Sequence, residues 1–400
     1  MSESASLKEA RELRVAVDAR PLDIPFLRAQ GIGRFAHALI TELGPVAEER
    51  GGELVLLRAR GGVGSPYGGT DEPDEGIDAI SERRLRRPPV PRRLADFPEQ
   101  FLLPLDVRRS GADLLHSLSI YRAVVAPGVP SVMTVHDLIP LMWPDQYLRT
   151  GLAHRMLYRA ARRATRLIAV SEATRRDVIA ELGVPAERID VVHEAADKRF
   201  VAVDPTATLE RLGIERPYVL YIGGLENVDP RKDVAGLIDA FAEWAHQRDR
   251  PETLVLAGGL GRAGAPLRER AERSSARIHF PGFVEDDDLP ALYSGASCFV
   301  SATRYEGFGL PMLEAIACGT PVAAYDVGSL AEVCAPGALL LADVGNGSEL
   351  MRAAERLCDE PELRSRLAAG GCEHATRFSW RRAAEQTWDV YERAAGTLGA

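Results

Sequence analysis

Short apolar runs recur along the whole chain, and each is closed by a turn and followed by residues spaced as on one face of a helix. In the first half they fall at 14–18, 54–58, 113–116, 131–136, 167–170 and 190–193. In the second half they fall at 218–223, 253–257, 277–280, 298–301, 321–325 and 339–341. Each is β-branched or rich in leucine, and the runs are continuous rather than alternating. A strand covered on both faces reads this way, and parallel neighbours need a helix-length crossover between them. The pattern therefore predicts an α/β chain with parallel sheets. Two sets of about six strands suit two Rossmann-like domains better than one eight-stranded barrel. The 400 residues leave room for both. The boundary is expected near 202–209, giving an N-terminal domain over 1–204 and a C-terminal domain over 205–378. The last segment, Phe378-Ser379-Trp380 to Tyr391, is expected to return to the first domain, with 379–400 packed on it. A Gly/Asp-rich stretch at 60–76 reads as a mobile insertion.

Composition removes several function classes. No run approaches the roughly 18 apolar residues of a membrane span. The opening MSESASLKEARELR lacks the apolar segment of a secretory signal. The five cysteines, Cys298, Cys318, Cys334, Cys358 and Cys372, are odd in number and never in CxxC spacing. They argue against a disulfide framework or a zinc ribbon and fit a reducing cytoplasm. A net charge of -9 argues against general nucleic-acid binding. That charge is uneven: residues 1–200 hold 29 basic and 28 acidic residues, and the rest hold 20 and 30. Eight arginines lie between Arg83 and Arg109. Arg155, Arg159, Arg162, Arg163 and Arg166 follow on one predicted helix. They read either as a solvated helix face or as a surface for an anionic acceptor or membrane headgroups.

The densest chemistry is Arg304-Tyr305-Glu306-Gly307-Phe308-Gly309-Leu310-Pro311-Met312-Leu313-Glu314, directly after a predicted strand. Pro311 suits a first helical turn, and Gly307 and Gly309 let backbone approach a ligand. The open N–H groups of that turn favour anionic or hydroxyl-rich ligands. Glu306 falls at the carboxyl end of a strand, where open α/β sheets bind ligands, and Glu314 about one turn inside the helix. Two such carboxylates accept hydrogen bonds from sugar hydroxyls. A helix cap with a surface glutamate would not need the Gly-Phe-Gly-Leu-Pro between them.

Arg231 and Lys232 also sit at a strand-to-helix turn, and Lys232 is one of three lysines among 49 basic residues. A compact ammonium there suits a diphosphate. Gly31-Ile32-Gly33-Arg34 opens another helix, where it either cradles a phosphate or simply makes a tight turn. Gly259-Leu260-Gly261-Arg262-Ala263-Gly264 spells the dinucleotide fingerprint, which keeps a nicotinamide oxidoreductase in play. It follows the second strand of its domain rather than the first, however, and would leave the two glutamates unexplained. His116 and His136 each end a strand, as ligand-facing or as satisfied structural residues. Asp286-Asp287-Asp288 offers a DxD but reads as an acidic helix start with an N-cap. GxSxG, GxxxxGK[ST] and HExxH do not occur.

The Glu306–Glu314 pair resembles the E-x7-E motif of family-4 retaining glycosyltransferases with the GT-B fold. Phe280-Pro281-Gly282-Phe283-Val284 is similar to that family's G-[FY]-V turn. Glu314-Ala315 through Gly319-Thr320-Pro321-Val322 is similar to its E-A-x-A-x-G-x-P-V stretch, and Val170-Ser171 to its V-S. Ile32-Gly33-Arg34, His136-Asp137-Leu138-Ile139-Pro140 and Pro230-Arg231-Lys232 look most like the mannosyltransferase-like branch. The resemblance covers about residues 14 to 394. It implies two Rossmann-like domains facing an interdomain cleft, with the C-terminal helix returning to the first.

It also implies roles. Gly33 approaches the donor diphosphate, and His136 contacts the transferred sugar. Arg231 and Lys232 neutralise the leaving diphosphate. Backbone around Gly282 and Phe283 holds the nucleobase. Glu306, Gly307, Phe308 and Gly309 bind sugar hydroxyls, Leu310 packs nearby, and Glu314 binds the ribose. Gly223-Gly224 departs from the Gly-Arg of many members, and two extra residues lie between Leu225 and Pro230. The expected activity is metal-independent, retaining transfer of a hexosyl group, first guess mannosyl from GDP-mannose. The acceptor would be a glycan, lipid-linked or small-molecule one, with peripheral membrane contact through the first domain. An epimerase or phosphorylase, or a non-catalytic sugar-nucleotide sensor of the same fold, are the alternatives.

Overall fold

The apolar runs fold into two separate sheets in which every strand pair is parallel. The structure is a computed structural model. It describes residues 12–23, 31–59, 76–77, 79–85, 96–120, 123–147, 151–225, 229–249, 252–261, 264–334 and 338–396. The expected insertion at 60–76 lies outside them apart from Gly76, as do Arg86, Arg87, Arg92 and Arg93 and the extra residues near 226–228.

The first unit holds the described residues up to Val170, then Thr174–His193 and the chain from Trp380. Its strands are β1 (Arg14–Asp18), β2 (Glu53–Arg58), β3 (Ser81–Arg84), β4 (Leu114–Ser117), β5 (Ser131–Val135), β6 (Arg166–Ala169) and β7 (Ile189–Val191), in the order β3-β2-β1-β4-β5-β6-β7. Alternate residues of the central strand point to opposite faces. Val15 and Val17 pack with Leu39 and Ile40 of α1 (Gly31–Glu49), whereas Ala16 packs with Leu103 and Val107 of α2 (Asp96–Ser110). β3 has no counterpart among the expected strands. Its sequence is Ser-Glu-Arg-Arg, it is mostly exposed, and it pairs only with β2. A charged strand at a sheet edge blocks further pairing and carries no apolar signal.

α3 (Gly151–Arg163) carries exposed Arg159, Arg162 and Arg163. Arg166, expected on the same helix, is instead the first residue of β6, and its guanidinium is paired with Asp190 at 2.7 Å. α4 is Glu172–Leu182. The returning segment forms a helix, Trp380–Gly396, whose Trp388 and Tyr391 join the core of β1 and α1. His116 is fully buried and bonds the Tyr391 hydroxyl at 2.6 Å and Thr134 Oγ1 at 2.9 Å. It is a structural residue, the second of the two readings left open for it.

The second unit holds Ser171–Ala173 and Glu194–Ser379. Its division from the first falls ahead of the expected 204/205. Phe200 packs edge-on to Tyr293 at 5.9 Å and Arg199 pairs with Asp287 at 2.8 Å, which tie the preceding segment to this unit. The strands are β8 (Tyr218–Ile222), β9 (Thr253–Ala257), β10 (Ile278–Gly282), β11 (Cys298–Ser301), β12 (Val322–Tyr325) and β13 (Leu339–Ala342). Their order is β10-β9-β8-β11-β12-β13. The direction of strand addition reverses beside β8, between β8 and β11, the place where such sheets bind ligands. The GxGxxG segment follows β9. Its neighbour Gly258, at φ +144°, lies so close to the Gly223 carbonyl that any Cβ would overlap it. Gly258 thus serves backbone packing between adjacent turns. Among the described residues no helix is long and apolar enough to cross a membrane.

Candidate active site

The turns after β8 and β11 bring Arg231, Lys232 and Glu306 together. Backbone joins them first: the Arg304 amide donates to the Arg231 carbonyl at 2.7 Å. Asp229 Oδ1 accepts from the Arg231 amide at 3.0 Å and fixes the turn before it. Asp233 then caps the helix Val234–Ala245 and takes an ion pair from Arg304 at 2.7 Å.

Arg231 is committed within the protein. Its Nη1 donates to the Tyr305 carbonyl at 2.8 Å and to Glu306 Oε1 at 3.1 Å, and its Nη2 to Asp229 at 3.1 Å. Thr303 Oγ1 donates to the same Glu306 oxygen at 3.3 Å. One carboxylate oxygen of Glu306 is thus held, and no partner of Oε2 occurs among the described residues. Lys232 differs from its neighbour. Its ammonium has neither hydrogen bond nor ion pair among the described residues, and it lies 3.9 Å from where a Cβ on Gly224 would stand. Burial pushes its pKa below the usual lysine value, with Glu306 opposing and Arg231 adding to the fall. The Gly223-Gly224 departure therefore leaves room that the Lys232 side chain faces.

Gly309 has φ +102° and starts the helix Leu310–Ala317. A Cβ there would meet Leu330 Cδ2 at 2.8 Å and Met312 Cε at 2.9 Å. Phe308 is buried, with its ring 5.9 Å from that of Phe378. Leu310 is half-buried at the first helical position. Glu314 is only 7% exposed and accepts from the Tyr293 hydroxyl at 2.9 Å. Gly282 ends β10 at φ +82° with open space where a Cβ would be, and Phe283 beside it is 65% exposed. In the acidic run, Asp288, the second acid of the DxD, pairs with Arg211, and Asp287 between the two DxD positions pairs with Arg199. Asp288 does stand at the helix N-cap, but its side chain makes no cap bond.

In the first unit, His136 follows β5. Its Nε2 donates to the Leu118 carbonyl at 2.9 Å, and its ring stands edge-on to Phe35 at 4.5 Å. Phe35 also meets Trp380 at 5.7 Å. Gly33 is buried in the first turn of α1, two residues before Phe35, so the Gly-rich segment opens a helix as its sequence predicts. Sequence reasoning missed a buried charge cluster at the ends of β1 and β2. Arg20 binds Asp18 at 2.7 Å and Glu99 at 2.9 Å; Arg58 binds Asp23 at 2.8 Å and Glu82 at 3.3 Å. Buried charges survive only when paired and hydrogen-bonded in this way. The signal was available in Asp18, Arg20 and Asp23 following an apolar strand, but charge of that kind usually marks surface.

Comparison with known proteins agrees with this geometry. The model for Glycosyltransferase Family 4 matches residues 29–200, and that for glycosyl transferases group 1 matches 210–374. The O-antigen chain mannosyltransferase B of Escherichia coli is 30% identical over 270 residues, covering 66% of this chain and 70% of that protein. The MMP alpha-(1->4)-mannosyltransferase of Mycolicibacterium hassiacum is 30% identical over 312 residues, 73% of each chain. Among solved structures, sucrose-phosphate synthase of Thermosynechococcus elongatus superposes with a TM-score of 0.76 at 21% identity, covering 96% of this chain and 100% of that one. Anabaena HepE in complex with UDP and glucose gives 0.69 at 19% identity, covering 97% and 100%. Two Rossmann-like units with these matches define a glycosyltransferase of the GT-B fold. The chain belongs to Glycosyltransferase Family 4, and mannosyltransferases are among its relatives.

Proposed function

We propose that this protein is a retaining hexosyltransferase that takes its sugar from a nucleoside diphosphate sugar, GDP-mannose first, without a metal ion. The observation that carries the reading is Lys232: a half-buried ammonium that makes no ion pair or hydrogen bond among the described residues, beside the Gly223-Gly224 turn and within the field of the fixed carboxylate of Glu306. Placing a cation where a leaving diphosphate gains charge is how such a site gains rate. Arg231 serves the diphosphate more indirectly in this reading, since its guanidinium orients Glu306. Glu306 Oε2 and the backbone of Gly307, Phe308 and Gly309 take the sugar hydroxyls, and Leu310 packs beside them. Backbone at Gly282 and Phe283 takes the base, and Glu314 the ribose. Gly33 and His136 are assigned to the diphosphate and the transferred sugar by family resemblance. Metal independence is supported by Lys232, a cation of the protein itself beside the proposed diphosphate site.

Glu306 is held by Arg231 and Thr303 as a hydroxyl acceptor rather than as a nucleophile, which favours front-face attack with retention. The mannosyl donor rests on the two mannosyltransferase relatives; HepE was solved with UDP and glucose, so UDP-glucose is the second donor to try. The acceptor is proposed to be a glycan or lipid-linked. Exposed Arg108, Arg109, Arg159, Arg162 and Arg163 support peripheral membrane contact through the first unit, read by salt-sensitive binding to anionic liposomes. A thermal-shift panel of nucleotide sugars tests the donor. Release of nucleoside diphosphate only when acceptor is present separates a transferase from an epimerase or a sensor.

A further inference from the structure

The loop from Glu306 to Gly309 has no regular secondary structure, yet three successive carbonyls end on two serine hydroxyls. Ser329 Oγ lies 3.2 Å from the Glu306 carbonyl and 2.8 Å from that of Phe308, and Ser171 Oγ lies 2.6 Å from that of Gly307. Both serines are fully buried. Ser329-Leu330-Ala331-Glu332 spells a capping box, in which the serine normally bonds its own helix and the glutamate reaches back to the serine amide. Here Ser329 stands at the N-cap of Leu330–Val333 but makes no cap bond. Glu332 instead accepts from the amide of Glu172 at 2.9 Å, the residue next to Ser171. A local helix signal has been turned outward into a bracket. Gly328, at φ +33°, allows the close approach: a Cβ there would stand 3.4 Å from the Glu306 carbonyl.

We propose that Ser171 and Ser329 are positioning residues for sugar binding, which deepens the reading of this loop as the sugar site and rests on it. A trans peptide holds its N–H antiparallel to its C=O. Fixing the carbonyls of Glu306, Gly307 and Phe308 therefore fixes the directions of the Gly307, Phe308 and Gly309 amides. It also fixes the Cα from which the Glu306 carboxylate projects. The serines act through the loop and touch no donor atom. They should matter for the sugar and not for the nucleotide.

The test compares GDP-mannose with GDP, and UDP-glucose with UDP, by calorimetry on the full chain. Wild type, Ser171→Ala, Ser329→Ala, the double variant and Glu306→Ala are measured. The quantity read is the gain in affinity that the sugar adds over the bare diphosphate. Each single serine variant should lose about three- to tenfold of that gain. The double variant should lose roughly 30-fold or depart from additivity, because both hydroxyls hold one loop. Affinity for the bare diphosphate should stay unchanged, and Ser329→Thr, which keeps the hydroxyl, should restore part of the gain. If the serine variants keep the sugar-dependent gain while Glu306→Ala loses it, the inference is overturned and the sugar site stands. If Glu306→Ala keeps it too, the sugar-site reading falls and takes the inference with it. Equal loss for sugar-bearing and bare nucleotides, with a lowered melting temperature, would show a merely structural role and also overturn it. Should the double variant not fold, the single variants decide.

Discussion

Arg231 and Glu306, 75 residues apart in sequence, share an ion pair of 3.1 Å, Nη1 to Oε1. The pair fixes one oxygen of a carboxylate whose other oxygen is proposed to hold sugar hydroxyls. Glu306→Ala should therefore cut turnover by about 10²–10³ with the fold intact, the scale of losing a group aimed at the transition state. Arg231→Ala should cut it less in the presence of saturating donor and raise the donor KM. Steady-state kinetics with circular dichroism checks both, and near-normal rates for Glu306→Ala would remove it from the site.

Lys232 sets a pH dependence. Burial lowers its pKa, so its positive charge is lost at a lower pH than that of an ordinary lysine. Deprotonation removes attraction for the diphosphate. Affinity for GDP should fall as pH rises through that value, with the fall starting below the usual lysine range. Lys232→Ala should bind weakly at neutral pH and lack that alkaline limb. Calorimetric titration between pH 7 and about 10, where the usual lysine pKa lies, decides this. An unchanged limb in the variant would assign it to another group.

His116 sets a stability dependence of the opposite sense. Burial, with a lesser contribution from His136, lowers its pKa from 6.5 to about 3. The folded chain keeps it neutral while the unfolded chain protonates it below 6.5. Its contribution is whole above that pH and is lost as pH falls towards 3, at up to about 1.4 kcal/mol per pH unit. Urea unfolding at pH 7.5 and 5 should show the loss, and His116→Phe should flatten it while also weakening the tie to Tyr391.

Gly309 sits at φ +102° with Leu330 and Met312 against the place of a Cβ. Gly309→Ala should destabilise by roughly 1–3 kcal/mol from backbone strain and crowding. It should also reduce sugar-dependent donor affinity, since the displaced residue carries one of the loop amides. Thermal melting and calorimetry report the two effects separately.

Most strands were legible because a parallel strand buried on both faces must be apolar throughout: Thr253–Ala257 and Cys298–Ser301 stand where their sequences place them. Ser81–Arg84 was not, because an edge strand is selected for charge rather than apolarity. The candidate acids Glu306 and Glu314 stand out in the sequence through the glycines and proline between them. The commitments of individual polar atoms were not legible. Arg231 and Lys232 are adjacent in sequence, yet one is tied to Asp229 and Glu306 while the other faces a glycine turn. The Ser171 bond to Gly307 spans 136 residues, and no local pattern encodes it. Arg20 and Arg58 look like surface charge until the carboxylates around them are placed by the fold.

Trp388 and Tyr391 belong to the same apolar core as Val15 and Leu39. A ribosome adds them only after the whole of 194–379 has been made. Of the two units, the one whose strands are made earlier thus closes its core later, waiting for two aromatic rings, while the other already has all its strands in hand. Order of birth and order of completion run in opposite directions along this chain.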